Sequence, residues 1–204
     1  MRYFVLYTTV SAQEDLRDLI GRRLPEGTGE AFIPRMEVYR RGEDEPVPKE
    51  MFPGYVIVYT SLTAREMHLL IRANRRELLS VLKELGYKAR LESARPDSDN
   101  WEEGKLYDLL DLNPGETEFM DLLRTGNGLL AMSHGYEEDG KYHVMDGPLK
   151  AYEDRMIDVD KHNRKAFLDI VINGRSVRAG FECKPKSFWK KQEKPQSDKR
   201  SQNA

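Results

Sequence analysis

The run Phe52-Pro53-Gly54-Tyr55-Val56 constrains this chain more than any other stretch. Proline fixes φ and glycine accepts positive φ, so the pair reads as a turn that launches a strand. The strand that follows, Val56-Ile57-Val58-Tyr59, is β-branched and aromatic. Taken alone, the pentapeptide is equally well a plain hairpin corner.

The rest of the first ninety residues reads β-α-β-β-α(α)-β. Tyr3 to Val10 is an aromatic, β-branched strand. Ser11 followed by Glu14 has the spacing of a capping box, and Leu16, Leu19, Ile20 and Leu24 then form a helical apolar stripe. Ala31 to Pro34 and Met36 to Tyr39 read as a strand broken by proline. Gly42 to Pro48 is a loop or hairpin tip. Ser61 or Thr63 caps the next helical stretch, which Asn74-Arg75-Arg76 leaves as one helix or two, and Gly86 stops it. Tyr87 to Leu91 is a short edge strand. This order predicts an α+β sandwich, helices packed on an antiparallel sheet.

Residues 93–128 read as a linker carrying short helices, one of them over Glu116 to Arg124. From Leu129 the pattern becomes short strands separated by Glu138-Asp139-Gly140, Gly147-Pro148, Lys161-His162-Asn163 and Asn173-Gly174. Such spacing predicts a small β-barrel over 129–184. From Lys184 onward there are seven basic and two acidic residues and no apolar period, which predicts a disordered basic tail over 185–204.

Composition narrows the function classes. The formal net charge of −2 over 204 residues argues against coating nucleic acid by bulk charge. One cysteine, Cys183, excludes an intramolecular disulfide and suits a reducing cytoplasm. No apolar run reaches the length of a membrane span. His68, His134, His143 and His162 are scattered without metal-ligand spacing, and Cys183 has no histidine near it in sequence. Gly126-Asn127-Gly128 lacks the Gly-Lys-Ser/Thr of a phosphate loop. The reading is a non-enzymatic protein with no cofactor and no metal.

Phe52–Val56, together with Val144-Met145-Asp146-Gly147-Pro148-Leu149-Lys150 and Arg155 to Asp160 downstream, resembles the NusG family of transcription elongation factors. Tyr3 stands where that family usually has tryptophan, and Phe32 to Val38 is similar to its proline-led outgoing strand. The second block looks like a KOW motif, with Ala151 and Asp154 where the family usually has glycine. Gly-Pro-Leu-Lys and the Glu118-Phe119-Met120…Ser133-His134-Gly135 run are most similar to the LoaP branch of processive antiterminators.

The resemblance implies an N-terminal NGN domain over 1–92 and a KOW domain over 129–184 in a monomer. It also implies that Tyr3, Phe4, Phe52 and Tyr55 form an exposed apolar patch, or its wall, for the clamp region of RNA polymerase. Alternation along a strand sends Tyr3 and Phe4 to opposite faces, so one of them belongs to the core. Lys150, Arg155, Lys161, Arg164, Lys165, Arg175 and Arg178 are the nucleic-acid candidates, for a leader hairpin or nascent transcript. Arg22, Arg23, Arg40, Arg41, Arg72, Arg75 and Arg76 form three further clusters, each as well explained by a solvated face. The implied function is antitermination of selected operons, with recruitment by leader RNA. Two alternatives are a general NusG-like factor that couples polymerase to a ribosomal protein or termination helicase, and a KOW-type RNA-binding module.

Overall fold

The structure is a computed structural model that describes residues 1–40, 42–81, 107–110 and 112–192. The expected strand at Tyr87 to Leu91 and the acidic stretch 93–106 lie outside these residues, as do Arg41 and the tail from 193.

In chain order the first half contains β1 (Arg2–Tyr7), α1 (Gln13–Arg23), β2 (Gly29–Phe32), β3 (Arg35–Val38), β4 (Val47–Glu50), β5 (Tyr55–Thr60), α2 (Ala64–Ala73) and α3 (Arg75–Val81). Next come β6 (Tyr107–Leu109), α4 (Pro114–Thr125) and β7 (Leu129–Leu130). The remainder is β8 (Ser133–Glu138), β9 (Lys141–Asp146), β10 (Met156–Asp160), β11 (Lys165–Ile172), β12 (Arg175–Cys183) and α5 (Lys186–Gln192). They make an antiparallel sheet ordered β2-β5-β1-β6, a small sheet β4-β3-β7, and a curled sheet β10-β11-β12-β8-β9. The class is mixed α+β, with an N-terminal sheet-and-helix region and a C-terminal curled sheet, as the sequence predicts.

Alternation divides the first sheet into two faces. Phe4 and Leu6 of β1 lie opposite Val58 and Val56 of β5. Their face packs on Leu16, Leu19 and Ile20 of α1, Met67 and Ile71 of α2, and Leu78 of α3. These side chains are aliphatic apart from Phe4, and nearly all are sealed from solvent. The other face carries Tyr3, Val5, Tyr7, Tyr55, Ile57 and Tyr59, paired Tyr3 to Tyr59 and Tyr7 to Tyr55.

The curled sheet closes through a parallel pairing of β12 with β8, Phe181 opposite Ser133. Ala166, Leu168, Ile170 and Ile172 alternate inward along β11 and meet Val177, Ala179 and Phe181 of β12. The segment holding Ala151 and Asp154 is a 3-10 run, Pro148–Arg155, interrupted at Tyr152. It needs no glycine there, because it buries Leu149 and Tyr152 instead of turning tightly.

Three expectations are corrected, and two alternatives left open, the helix count after β5 and its cap, are resolved. Ser11 caps no helix: a 3-10 turn over Val10–Ala12 intervenes, and the Ser11 hydroxyl lies 3.0 Å from that of Thr9. The helical stretch after β5 is two helices, divided where the Asn74 amide donates to the Leu70 carbonyl at 2.8 Å. Thr63, not Ser61, caps α2, in a full capping box with Glu66 that also holds the Glu66 carboxyl below its usual pKa. Residues 107–110 and 112–128 are no free linker. β6 pairs with β1, β7 pairs in parallel with β3, and α4, capped by Asn113, buries Phe119, Met120 and Leu123. The tail begins as a helix, α5, because Trp189 buries its ring and donates its indole N–H to the Gly135 carbonyl at 3.2 Å. β4, antiparallel to β3, was not foreseen and extends the hairpin expected around residues 42–48.

Candidate functional site

The Phe52–Val56 corner is built from backbone. Tyr55 N–H donates to the Phe52 carbonyl at 3.0 Å and Thr8 N–H to the Gly54 carbonyl at 2.8 Å. Gly54 has φ +86, and a Cβ placed there would lie 2.5 Å from the Thr8 carbonyl oxygen, so only glycine fits. The Gln13 amide, buried at the start of α1, donates to the Tyr55 carbonyl at 2.8 Å and locks helix to corner.

The four candidate polymerase contacts are all buried, with exposures of 4% for Tyr3, 0% for Phe4, 2% for Phe52 and 6% for Tyr55. The expectation of an openly displayed patch is therefore corrected. Phe4 faces the helix layer, as alternation requires of one of the pair. Tyr3, Phe52 and Tyr55 share the opposite face, and segments more than a hundred residues later in the chain cover it.

That cover is largely apolar, and polar groups reach it at the tyrosine hydroxyls and rings. Tyr3 donates its hydroxyl to Asp121 Oδ1 of α4 at 2.6 Å. Burial, with the Asp121 carboxylate beside it, pushes the Tyr3 phenol well above its ordinary pKa. Arg124, one turn along α4, sets its guanidinium 4.5 Å from the Tyr59 ring centre and pairs with Glu30 at 3.2 Å and Asp121 at 3.3 Å. Tyr7 and Tyr55 stand edge to face at 5.3 Å. Over them lies the turn between β11 and β12. Asn173 Nδ2 donates to the Tyr7 hydroxyl at 2.8 Å and reaches the Tyr55 hydroxyl at 3.4 Å. The Arg175 guanidinium rests 4.4 Å from the Tyr55 ring centre.

Tyr7, Tyr59, Asp121, Arg124 and Asn173 escaped the sequence reading. A usable signal existed for the first two: Tyr3 with Tyr7, and Tyr55 with Tyr59, are four residues apart on strands and so share a face.

The seven basic candidates do not form one surface. Lys161 pairs with Glu137, and Arg164 pairs with Glu182 at 3.5 Å while stacking on Tyr39 at 4.1 Å. Arg178 lies over Phe167 at 5.1 Å, Arg175 over Tyr55, and Arg155 against Gly115 at the start of α4. Lys150 is exposed on the 3-10 run and Lys165 is half-buried on β11. Burial raises the Cys183 thiol pKa, the opposite of what an activated nucleophile requires.

Residues 1–92 match the family model described as NusG, transcription termination factor nusG, a span that contains the corner, β1 and α1 to α3. No curated protein matches the chain. The match is a likeness to that family over less than half of the chain.

Proposed function

We propose that the chain is a transcription elongation factor that grips RNA polymerase through its N-terminal half and promotes processive antitermination of selected operons, in the manner of the LoaP branch. In this reading residues 1–92 are the core of the NGN domain and residues 129–184 the KOW domain. The family match over residues 1–92 carries the reading. The tyrosine face supports it, because tyrosine couples a large rigid contact area to a hydroxyl that suits a wet rim. Tyr3, Phe52 and Tyr55 form the polymerase surface, and Phe4 is the wall behind it. Binding favours the elongating polymerase by the difference in affinity between its elongating and paused states.

Lys150, Arg155, Lys161, Arg164, Lys165, Arg175 and Arg178 are proposed as the nucleic-acid contacts, for a leader hairpin or nascent transcript. The pairing of Lys161 with Glu137 and of Arg164 with Glu182 favours a second reading of that half, a protein partner such as a ribosomal protein or termination helicase. The compartment in either reading is the cytoplasm.

Single-round transcription across an intrinsic terminator tests the function. Readthrough should rise with the protein and rise further on templates that encode the cognate leader. Unchanged readthrough by a protein that co-elutes with polymerase would reject antitermination. Selective retention of one RNA hairpin, against pull-down of ribosomal protein or helicase, separates the two readings of the second half.

A further inference from the structure

Charge is spread unevenly along the chain. Residues 184–204 hold seven basic and two acidic side chains, against 26 basic and 33 acidic in the residues before them. A basic run on an otherwise acidic chain is an electrostatic address for a polyanion. The start of that run is fastened to the curled sheet. The Gly135 carbonyl of β8 accepts from two donors, the Lys184 N–H at 2.7 Å and the Trp189 indole N–H at 3.2 Å. Trp189 is buried, Lys184 pairs with Glu182 at 3.2 Å, and Lys186 pairs with Glu138. The first two lysines are thus committed to carboxylates and anchor α5. The five cations that follow, Lys190, Lys191, Lys194, Lys199 and Arg200, outnumber Glu193 and Asp198. Beside the anchor Phe188 stays 38% exposed, with the Lys184 ammonium 4.7 Å from its ring centre and the Trp189 ring edge-on at 5.3 Å. Of two adjacent aromatics, one is sunk to hold the helix and the other is left in water. An open ring next to a basic run is the combination that holds unpaired bases, phosphates by charge and a base by stacking.

We propose that α5 and the basic run beyond it form an arm for single-stranded RNA, distinct from the seven basic candidates of the curled sheet. Phe188 is its stacking platform for one unpaired base, and Lys190, Lys191, Lys194, Lys199 and Arg200 are its phosphate partners. That the strand is the nascent transcript rests on the elongation-factor reading; the arm itself does not. Glu138 and Glu182 serve the arm as fasteners, since each holds an anchoring lysine to the sheet. A double helix is the poorer ligand, because its bases are already stacked on one another and offer Phe188 no free face. Binding by backbone charge and stacking tolerates any sequence, because every base has a π-face.

Fluorescence anisotropy of the full-length chain with a labelled, unstructured RNA of about 16 nucleotides tests the arm, over a series of salt concentrations. Two variants keep Trp189 and both anchoring lysines: Phe188→Ala, and one in which Lys190, Lys191, Lys194, Lys199 and Arg200 are all replaced by glutamine. The neutralised variant should bind at least about tenfold more weakly, and its log–log salt slope should be shallower by about 3, the value for five phosphate contacts on a single strand. Phe188→Ala should weaken single-strand binding about tenfold at an unchanged salt slope, and should leave binding to an RNA duplex of the same length as it was. Wild-type affinity in the neutralised variant would overturn the arm. So would a Phe188→Ala that binds the single strand like wild type or loses equally on strand and duplex, since the ring would then stack no base. Tighter capture by phosphatidylglycerol-containing vesicles than by RNA at the same salt would overturn it in favour of a membrane surface. The titration contains no polymerase, so its failure leaves the polymerase reading standing, and failure of the chain to co-elute with polymerase leaves the arm standing.

Discussion

The two faces of the first sheet are made by the same two strands and are held in different ways. On one, Phe4, Leu6, Val56 and Val58 meet the apolar stripes of α1, α2 and α3. On the other, tyrosines at 3, 7, 55 and 59 meet Asp121, Arg124, Asn173 and Arg175. The first arrangement draws its stability from apolar area removed from water, which is non-directional and cooperative. The second combines the buried apolar side chains of α4 with a few directional contacts, each removable without leaving a hole. A single sheet therefore packs an apolar interface on one side and a mixed aromatic, apolar and polar one on the other.

The largest effect should come from Phe4→Ala. A fully buried ring removed from the helix face should cost about 3–5 kcal/mol of unfolding free energy, read by urea titration. A loss below about 1 kcal/mol would erase the contrast from the sealed side. Gly54→Ala comes next. Its positive φ and the approach to the Thr8 carbonyl should cost on the order of 1–3 kcal/mol, and Tm should fall accordingly.

Tyr3→Phe removes one hydroxyl bond on the tyrosine face and should cost about 1 kcal/mol. It also carries a pH signature. The folded chain holds the Tyr3 proton more tightly than the unfolded chain does, so its contribution is complete below the ordinary tyrosine pKa of 10.0 and is lost as pH rises beyond it. Wild type should therefore lose stability above that value more steeply than Tyr3→Phe, and parallel curves would remove Tyr3 from the account. The smallest effect belongs to Arg175→Ala, about 0.5–1 kcal/mol for one exposed cation on a ring. Its loss should leave the protection of α1 to α3 from hydrogen exchange unchanged.

Much of this was legible in the chain before the structure. The Pro-Gly corner, the alternating strand it launches, the apolar stripe of α1 and the Asn173-Gly174 hairpin follow from local rules and appear where those rules put them. What escaped is non-local or short. Alternation tells that Tyr3 and Phe4 point apart, but not that α4, beginning at Pro114, roofs the Tyr3 side. β4 has four residues with Pro48 inside, too few to show a period. α5 rests on one buried tryptophan in a segment whose composition is that of a solvated tail. Ser11 and Glu14 have the right spacing for a cap, yet Ser11 lies inside a 3-10 turn and the helix starts at Gln13, with Ala12 as its cap residue.

The ladders that flank α4 have a practical consequence for anyone shortening the gene. β6 occupies the rim of β1 and β7 is stitched to β3, so α4 is strapped across the tyrosine face at both ends. A product stopping at residue 92, where the family match ends, would leave β1 with bare amides along one rim and a greasy roofless floor above it. Such a fragment should clump at low micromolar concentration, whereas one carried through Leu130 keeps the cover of the Tyr3 side.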